Sequence, residues 1–171
     1  MKQTLLIITA LMLVVGCSKP IDGSTLVWKN GKPYAPYSGV AVKYYDNGQK
    51  YREGTYKDGE LDGIFTKWHE NGQKHIEATF KDGEYDGLHT LWYENGQKKD
   101  EGTWKDGERD GLRTGWYENG QKWYEGTYKD GELDGLSTGW HENGQKSLEG
   151  TYKDGELISS KIWNEDGSVK E

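Results

Sequence analysis

Three groups of residues in this chain have the types and spacing for chemistry. Gly135-Leu136-Ser137-Thr138-Gly139 spells the Gly-x-Ser-x-Gly of a nucleophile elbow, in which a serine on a strand-to-helix turn attacks a carbonyl with a histidine as its base. Asp58, Glu60 and Asp62, followed by Gly63, have the alternating acids that begin a calcium loop. His69, His75, His89 and His141 are residues that ligate metals or carry protons near neutral pH. Each candidate has to be compared with its counterparts, because the chain repeats. Asn-Gly-Gln-Lys starts at Asn47, Asn71, Asn95, Asn119 and Asn143, and Lys-Asp-Gly-Glu starts at Lys57, Lys81, Lys105, Lys129 and Lys153, a period of 24 residues without a slip.

The period removes most of the chemistry. The counterpart of Ser137 in the preceding copy is Arg113, within Gly111-Leu112-Arg113-Thr114-Gly115, so the serine stands at a freely varying position. The acid that a calcium loop needs at its twelfth position is His69, Tyr93, Tyr117 or His141 in the four copies. The histidines lack ligand spacing, and two of them replace tyrosine in one column, which reads as packing. No residue is therefore expected to be catalytic, to bind a cofactor or to hold a metal, and the chain is read as a non-enzyme.

The elements behind these residues are strands. Asn95-Gly96 and Asp106-Gly107 are pairs that tolerate the two positive φ angles of a type I′ hairpin, and segments of β-like alternation flank both. Two turns per unit give two strands per unit. Two-residue loops would pair Trp92 with Lys99, Thr90 with Glu101 and Leu88 with Thr103 on one face, and Tyr93 with Lys98 and Trp104 with Gly87 on the other. The first face carries columns of Ile64, Leu88, Leu112 and Leu136, of Trp68, Trp92, Trp116 and Trp140, and of Thr55, Thr79, Thr103, Thr127 and Thr151. The second carries Tyr56, Phe80, Trp104, Tyr128 and Tyr152, with Gly63, Gly87, Gly111 and Gly135 as bare backbone over which rings can lie. So few aliphatic residues cannot fill a thick core. The expected fold is all-β, an elongated, twisted, single-layer antiparallel meander in which successive strands are neighbours throughout.

Glu53-Gly54-Thr55-Tyr56-Lys57-Asp58-Gly59-Glu60-Leu61-Asp62-Gly63, with copies starting at Glu77, Glu101 and Glu125, resembles the first half of a MORN repeat. The Asn-Gly-Gln-Lys element and the start from Lys32-Pro33-Tyr34 to Tyr37-Ser38-Gly39 are similar to the bacterial MORN-variant repeats labelled YwqK-family antitoxins. The resemblance covers nearly everything from Trp28 onward and implies a single-sheet binding scaffold without catalytic residues. The antitoxin label implies neutralisation of a partner toxin.

The N-terminus carries an address. Lys2 precedes an apolar run from Leu5 to Val15, and Val14-Val15-Gly16-Cys17 places small residues before a cysteine. The run is shorter than the roughly 20 residues a spanning helix needs. It resembles a bacterial lipoprotein signal, which implies cleavage before Cys17 and attachment of a diacylglycerol and further chains such as palmitate to that residue. Ser18 in the next position resembles an outer-membrane sorting pattern, so the expected location is the outer membrane, facing the periplasm. The divisions are then a leader over 1–16, a lipidated tether over 17–26 and a repeat domain over 27–171 with modified caps at both ends. Lipidation would consume Cys17, the sole cysteine, leaving no thiol for a disulfide, a nucleophile or a metal. The formal charge of −7 becomes −8 when the leader, with one lysine and no acid, is removed. That charge argues against nucleic acid as a partner, since its phosphates are bound through Lys and Arg.

What remains is what differs between copies. Tyr51, His75, Lys99, Trp123 and Ser147 form one variable column, and Arg52, Ile76, Asp100, Tyr124 and Leu148 form its neighbour, expected on the opposite face. Repeat proteins place recognition in such positions. Tyr51, His75, Lys99, Trp123 and Tyr124 are the candidate partner-binding residues, with one side chain of Trp123-Tyr124 emerging from each face. The leading function is a lipid-anchored envelope scaffold that binds an unidentified protein. The alternatives are an immunity or antitoxin protein and a glycan or peptidoglycan binder using Trp and Tyr ladders.

Overall fold

The computed structural model describes residues 21–22, 28–29, 32–33 and 37–170; the leader and Cys17 lie outside the described residues. Among these residues there is no helix. Three two-residue strands come first: β1 (Ile21–Asp22), β2 (Trp28–Lys29) and β3 (Lys32–Pro33). The main array follows as β4 (Gly39–Tyr44), β5 (Lys50–Lys57), β6 (Glu60–Trp68), β7 (Lys74–Lys81), β8 (Glu84–Trp92), β9 (Lys98–Lys105), β10 (Glu108–Trp116), β11 (Lys122–Lys129), β12 (Glu132–Trp140), β13 (Lys146–Lys153) and β14 (Glu156–Ile162). From β4 to β14 every strand pairs antiparallel with the next, an open single-layer meander with two strands per repeat. The N-terminal edge departs from the expectation of neighbours throughout. Ile21–Asp22, inside the segment read as a tether, runs parallel to β4 on its outer side, while β2 and β3 form a separate hairpin.

The two turns of each repeat differ in kind. At Asp106-Gly107 both residues have positive φ, 48° and 83°, and Lys105 pairs with Glu108, which is the two-residue type I′ loop expected. At Asn95-Gly96 only the glycine is left-handed, with φ 85°. Gly96 N–H donates to the Tyr93 carbonyl at 3.0 Å and Tyr93 N–H to the Gln97 carbonyl at 2.9 Å, a three-residue loop ending in a glycine bulge. The Asn95 Oδ1 accepts from Gln97 N–H at 2.9 Å and sets this geometry.

The longer loop moves the register near it. Thr90 pairs with Glu101, Leu88 with Thr103 and Gly87 with Trp104, as the alternation predicts. Trp92, however, pairs with Lys98 rather than Lys99, and Tyr93 meets Gln97 rather than Lys98. Lys99 is left as the extra residue of a β-bulge between Leu91:Asp100 and Trp92:Lys98, and Tyr51, His75, Trp123 and Ser147 occupy the same place in their copies. A wider bulge follows each of the first four Asp-Gly turns, as where Thr127 faces the three residues Asp134, Gly135 and Leu136, whereas after Asp154-Gly155 only Ile158 is extra. The Gly63 column serves that bulge instead of lying under rings. A Cβ at Gly87 would approach the Thr79 Cβ at 3.0 Å, whereas at Gly150 it would meet the Tyr152 ring at 2.9 Å.

Each face has a thin core along its midline. On one, Val42, Thr66, Thr90, Thr114 and Thr138 are buried. Here each Asn-Gly-Gln-Lys lysine reaches the glutamate three residues on and covers the tryptophan of the next strand, as Lys98 does with Glu101 and, at 5.8 Å, the Trp116 ring. The aliphatic column beside it is not covered: Ile64, Leu88, Leu112 and Leu136 are 59, 49, 54 and 55% exposed. On the other face Ala41, Ala78, Gly102, Gly126 and Gly150 are buried along the midline, and aromatic rings share that face.

Candidate binding face

The aromatic face is where the variable residues meet. A β-bulge re-aims the side chain it inserts, so the two variable columns share a face instead of emerging from opposite ones. Trp123 and Tyr124 lie with ring centroids 5.3 Å apart, and the Arg113 guanidinium is 5.6 Å from the first ring and 5.1 Å from the second. Tyr51 meets Tyr45 edge-on at 4.9 Å and lies under Lys67 Nζ at 5.2 Å. His75 stacks on His69 at 4.3 Å, and Lys99, which is exposed, places its Nζ 5.2 Å from the Tyr93 ring. All five candidate residues therefore stand on one face, beside the Asn-Gly loops.

The column they lean on was not singled out as a site in the sequence. Tyr45, Tyr93 and Tyr117 each donate a hydroxyl hydrogen bond to a tryptophan carbonyl of the next repeat, at 2.7–2.8 Å. In the same column His69 Nε2 meets the Trp92 carbonyl at 3.3 Å and His141 Nε2 the Trp163 carbonyl at 3.1 Å. The Asn side chains add a second link, Asn119 Nδ2 donating to the Glu142 carbonyl at 3.1 Å. Tyr and His can share a column because both present a ring and a polar donor at one reach. That alternation was the signal available in the sequence.

A cluster built mainly of residues found in single copies centres on β9 to β12. Arg113 donates to Asp100 from Nε at 3.0 Å and pairs through Nη2 at 2.8 Å, with side chains 22 and 11% exposed. Arg109 lies over Trp104 at 5.1 Å and over Tyr128 at 5.5 Å. The hydroxyls of Tyr124 and Tyr128 are 2.9 Å apart, and burial, followed by that neighbour, pushes the Tyr124 phenol up to about 12. Burial works against the charge of the Arg113 guanidinium, but Asp100, followed by Tyr128, outweighs it and raises its pKa above the usual arginine value. Gly115 leaves room for this arrangement: a Cβ there would lie 2.5 Å from Trp123 Cε2.

The remaining candidates fall into place. Ser137 sits in the middle of β12, 3% exposed and opposite Gly126, so it has no strand-to-helix turn to present it as a nucleophile. His89 is wedged between Tyr85 and Trp104 at 5.2 and 6.2 Å, and burial lowers its pKa, with Asp100 opposing. His75 is also lowered, by burial first and then by His69, Lys67 and Lys99. Among the described residues no group of three or more His, Cys, Asp or Glu is arranged to hold a metal ion.

Comparison with known families accounts for β4 to β13. The MORN repeat variant matches five times, over residues 37–58, 61–82, 85–106, 109–130 and 133–154. The chain belongs to the MORN repeat variant family. MORN repeats form binding scaffolds, and each of the five matched units spans two strands and one whole Asn-Gly loop, with the Asp-Gly turns at the unit boundaries. No curated protein matches the chain.

Proposed function

We propose that this MORN repeat protein is a non-catalytic scaffold, lipid-anchored in the bacterial envelope through Cys17, that binds another protein on its aromatic face. The observation that carries the reading is the convergence of Trp123, Tyr124, Trp104, Arg109 and Arg113 on one face of neighbouring strands. Trp, Tyr and Arg are the residue types that dominate binding energy in protein interfaces. Trp123, Tyr124, Arg109 and Arg113 stand at positions where other copies carry different residues, so they are not required by the repeat, while Trp104 belongs to the aromatic column that every copy keeps.

The test is capture from an envelope extract. Lys99→Glu reverses an exposed charge in the row, Trp123→Ser removes its largest ring, and Leu112→Ser changes the opposite face. A partner retained by the native chain and by Leu112→Ser, but weakened about tenfold or more by the other two, supports the reading. Equal capture by all three removes the aromatic face from the site. Anchoring is tested separately: Cys17→Ser should abolish incorporation of labelled palmitate and release the protein from membranes, and continued incorporation excludes Cys17 as the attachment point.

Two other readings rest on less. An antitoxin role follows from the family label and requires a toxin gene whose product is harmful only when this protein is removed. A glycan role follows from the exposed edges of the aromatic row and requires a change in tryptophan fluorescence on titration with cell-wall saccharides.

A further inference from the structure

The two long edges of the sheet are unlike. At the N-terminal edge β4 is paired on its outer side by β1. At the other, β14 pairs with β13 alone among the described strands, and all of its residues are exposed. An open strand edge is a template for another strand, and proteins ordinarily blunt it with bulges, prolines or charges. β14 lacks the device of its counterparts. β6, β8, β10 and β12 each set three residues, including a positive-φ glycine, opposite one residue of the preceding strand, whereas in β14 only Ile158 is extra. Leu157 and Ile158 are 54 and 63% exposed.

The direction of the backbone groups follows from two bonds. The Ile162 carbonyl faces outward, since it accepts from Lys170 N–H at 2.9 Å, and alternation turns the backbone of Ser160 the same way. The two-residue turn at Asp154-Gly155 makes Lys153:Glu156 the hydrogen-bonded closing pair, so the next residue, Leu157, also faces outward. Lys170 covers the outer side at Ile162, leaving Glu156 to Lys161 as the open length.

We propose that β14 pairs antiparallel with β14 of a second copy of this chain, with Leu157 opposite Ser160 and Glu156 opposite Lys161. In this register outward-facing backbone meets outward-facing backbone at both Leu157:Ser160 pairs. Glu156 and Lys161 share the threonine face, because they pair in the ladder with Lys153 and Glu149. The two-fold axis therefore produces two Glu–Lys pairs, and a shift of two residues loses both. The interface is isologous, and β1 blocks head-to-tail growth at the other edge, so assembly stops at a dimer.

Sedimentation velocity on the full chain, in mild detergent with reductant and from about 1 to about 100 µM, tests this in the range where a small strand-pairing interface dissociates. The expected result is a reversible monomer–dimer equilibrium. Lys161→Glu sets like charges opposite each other twice and should weaken it about tenfold or more, while Glu156→Lys combined with Lys161→Glu restores it. Ser160→Pro removes an outward N–H without touching the inner ladder, and should give monomer with little change in melting temperature. A native monomer at every concentration overturns the proposal. So does a dimer indifferent to both single changes, a double charge swap that does not recover association, or growth into filaments.

Discussion

Replacing Gly115 by alanine should destabilise the protein only while Trp123 is present. The Gly115 backbone lies outside the left-handed region, so alanine is compatible with it. The added Cβ would sit 2.5 Å from Trp123 Cε2 and 2.8 Å from Cζ2, where carbon atoms pack comfortably at about 3.5–4.0 Å. The indole must therefore retreat by about 1 Å from its place beside Arg113 and Tyr124. Overpacking of this kind costs about 1–3 kcal/mol, and the smaller conformational freedom of unfolded alanine returns about 0.4–1 kcal/mol. The net loss is about 1.3 kcal/mol at the middle of these ranges, or roughly 3–5 °C in melting temperature for a domain of this size. In a Trp123→Ser background the obstruction is gone and the sign reverses, leaving a gain of about 0.4–1 kcal/mol. Serine already stands at the equivalent position 147, where Gly139 faces only the Ser147 hydroxyl at 3.0 Å and Leu148 at 3.6 Å among side chains. Gly139→Ala is thus a milder control. Urea unfolding of the four members of the cycle gives the coupling directly. Equal destabilisation with and without Trp123 would refute the steric reasoning and with it the placement of Trp123 on the aromatic face.

Two further outcomes follow from the geometry. His75 and His89 both have pKa values lowered by burial, so the unfolded chain takes up protons more readily; stability should be full above the free imidazole pKa of about 6.5 and fall as pH drops through it. A urea midpoint unchanged between about pH 7.5 and about pH 5.5 would contradict this, and His89→Phe, the residue type at position 65 of that column, should flatten the dependence. Asn119→Ala removes the acceptor for Gln121 N–H and the donor to the Glu142 carbonyl and should cost about 1–2 kcal/mol. Asn119→Asp keeps the first bond alone, so a melt that places it level with alanine would show that only the link to the next repeat matters.

The repeat made most of this fold legible in the sequence. Strand number, antiparallel order and the central pairs Thr90:Glu101 and Leu88:Thr103 follow from alternation and from two turns per period. The misplaced variable column has one cause. Asn-Gly and Asp-Gly are both tolerant of positive φ, but asparagine at position 95 uses its side chain to accept from Gln97, which favours a three-residue loop. One residue of difference in the loop becomes a bulge at Lys99, and the bulge moves a whole variable column to the other face. The exposure of Leu88 and Leu112 was equally hidden, because alternation assigns a side chain to a face and says nothing of whether that face has a cover.

The bulge also explains why variation is tolerated at Tyr51, His75, Lys99, Trp123 and Ser147. An inserted residue has no partner across the ladder, so its side chain carries no constraint of register. Closure between repeats falls instead to residues that hardly change: the Asn side chains, the Tyr or His donors and the glycines of the turns. Each repeat can accept a new side chain in the row provided the local floor gives way, and the floor is the column of Lys43, Lys67, Leu91, Gly115 and Gly139. Tryptophan at 123 stands over glycine at 115, and the same floor carries Leu91 where the inserted residue is the exposed Lys99. Recognition on this face is thus written in pairs, an inserted residue and the floor beneath it. Moving Trp123 to another repeat without its glycine should fail to reproduce its placement.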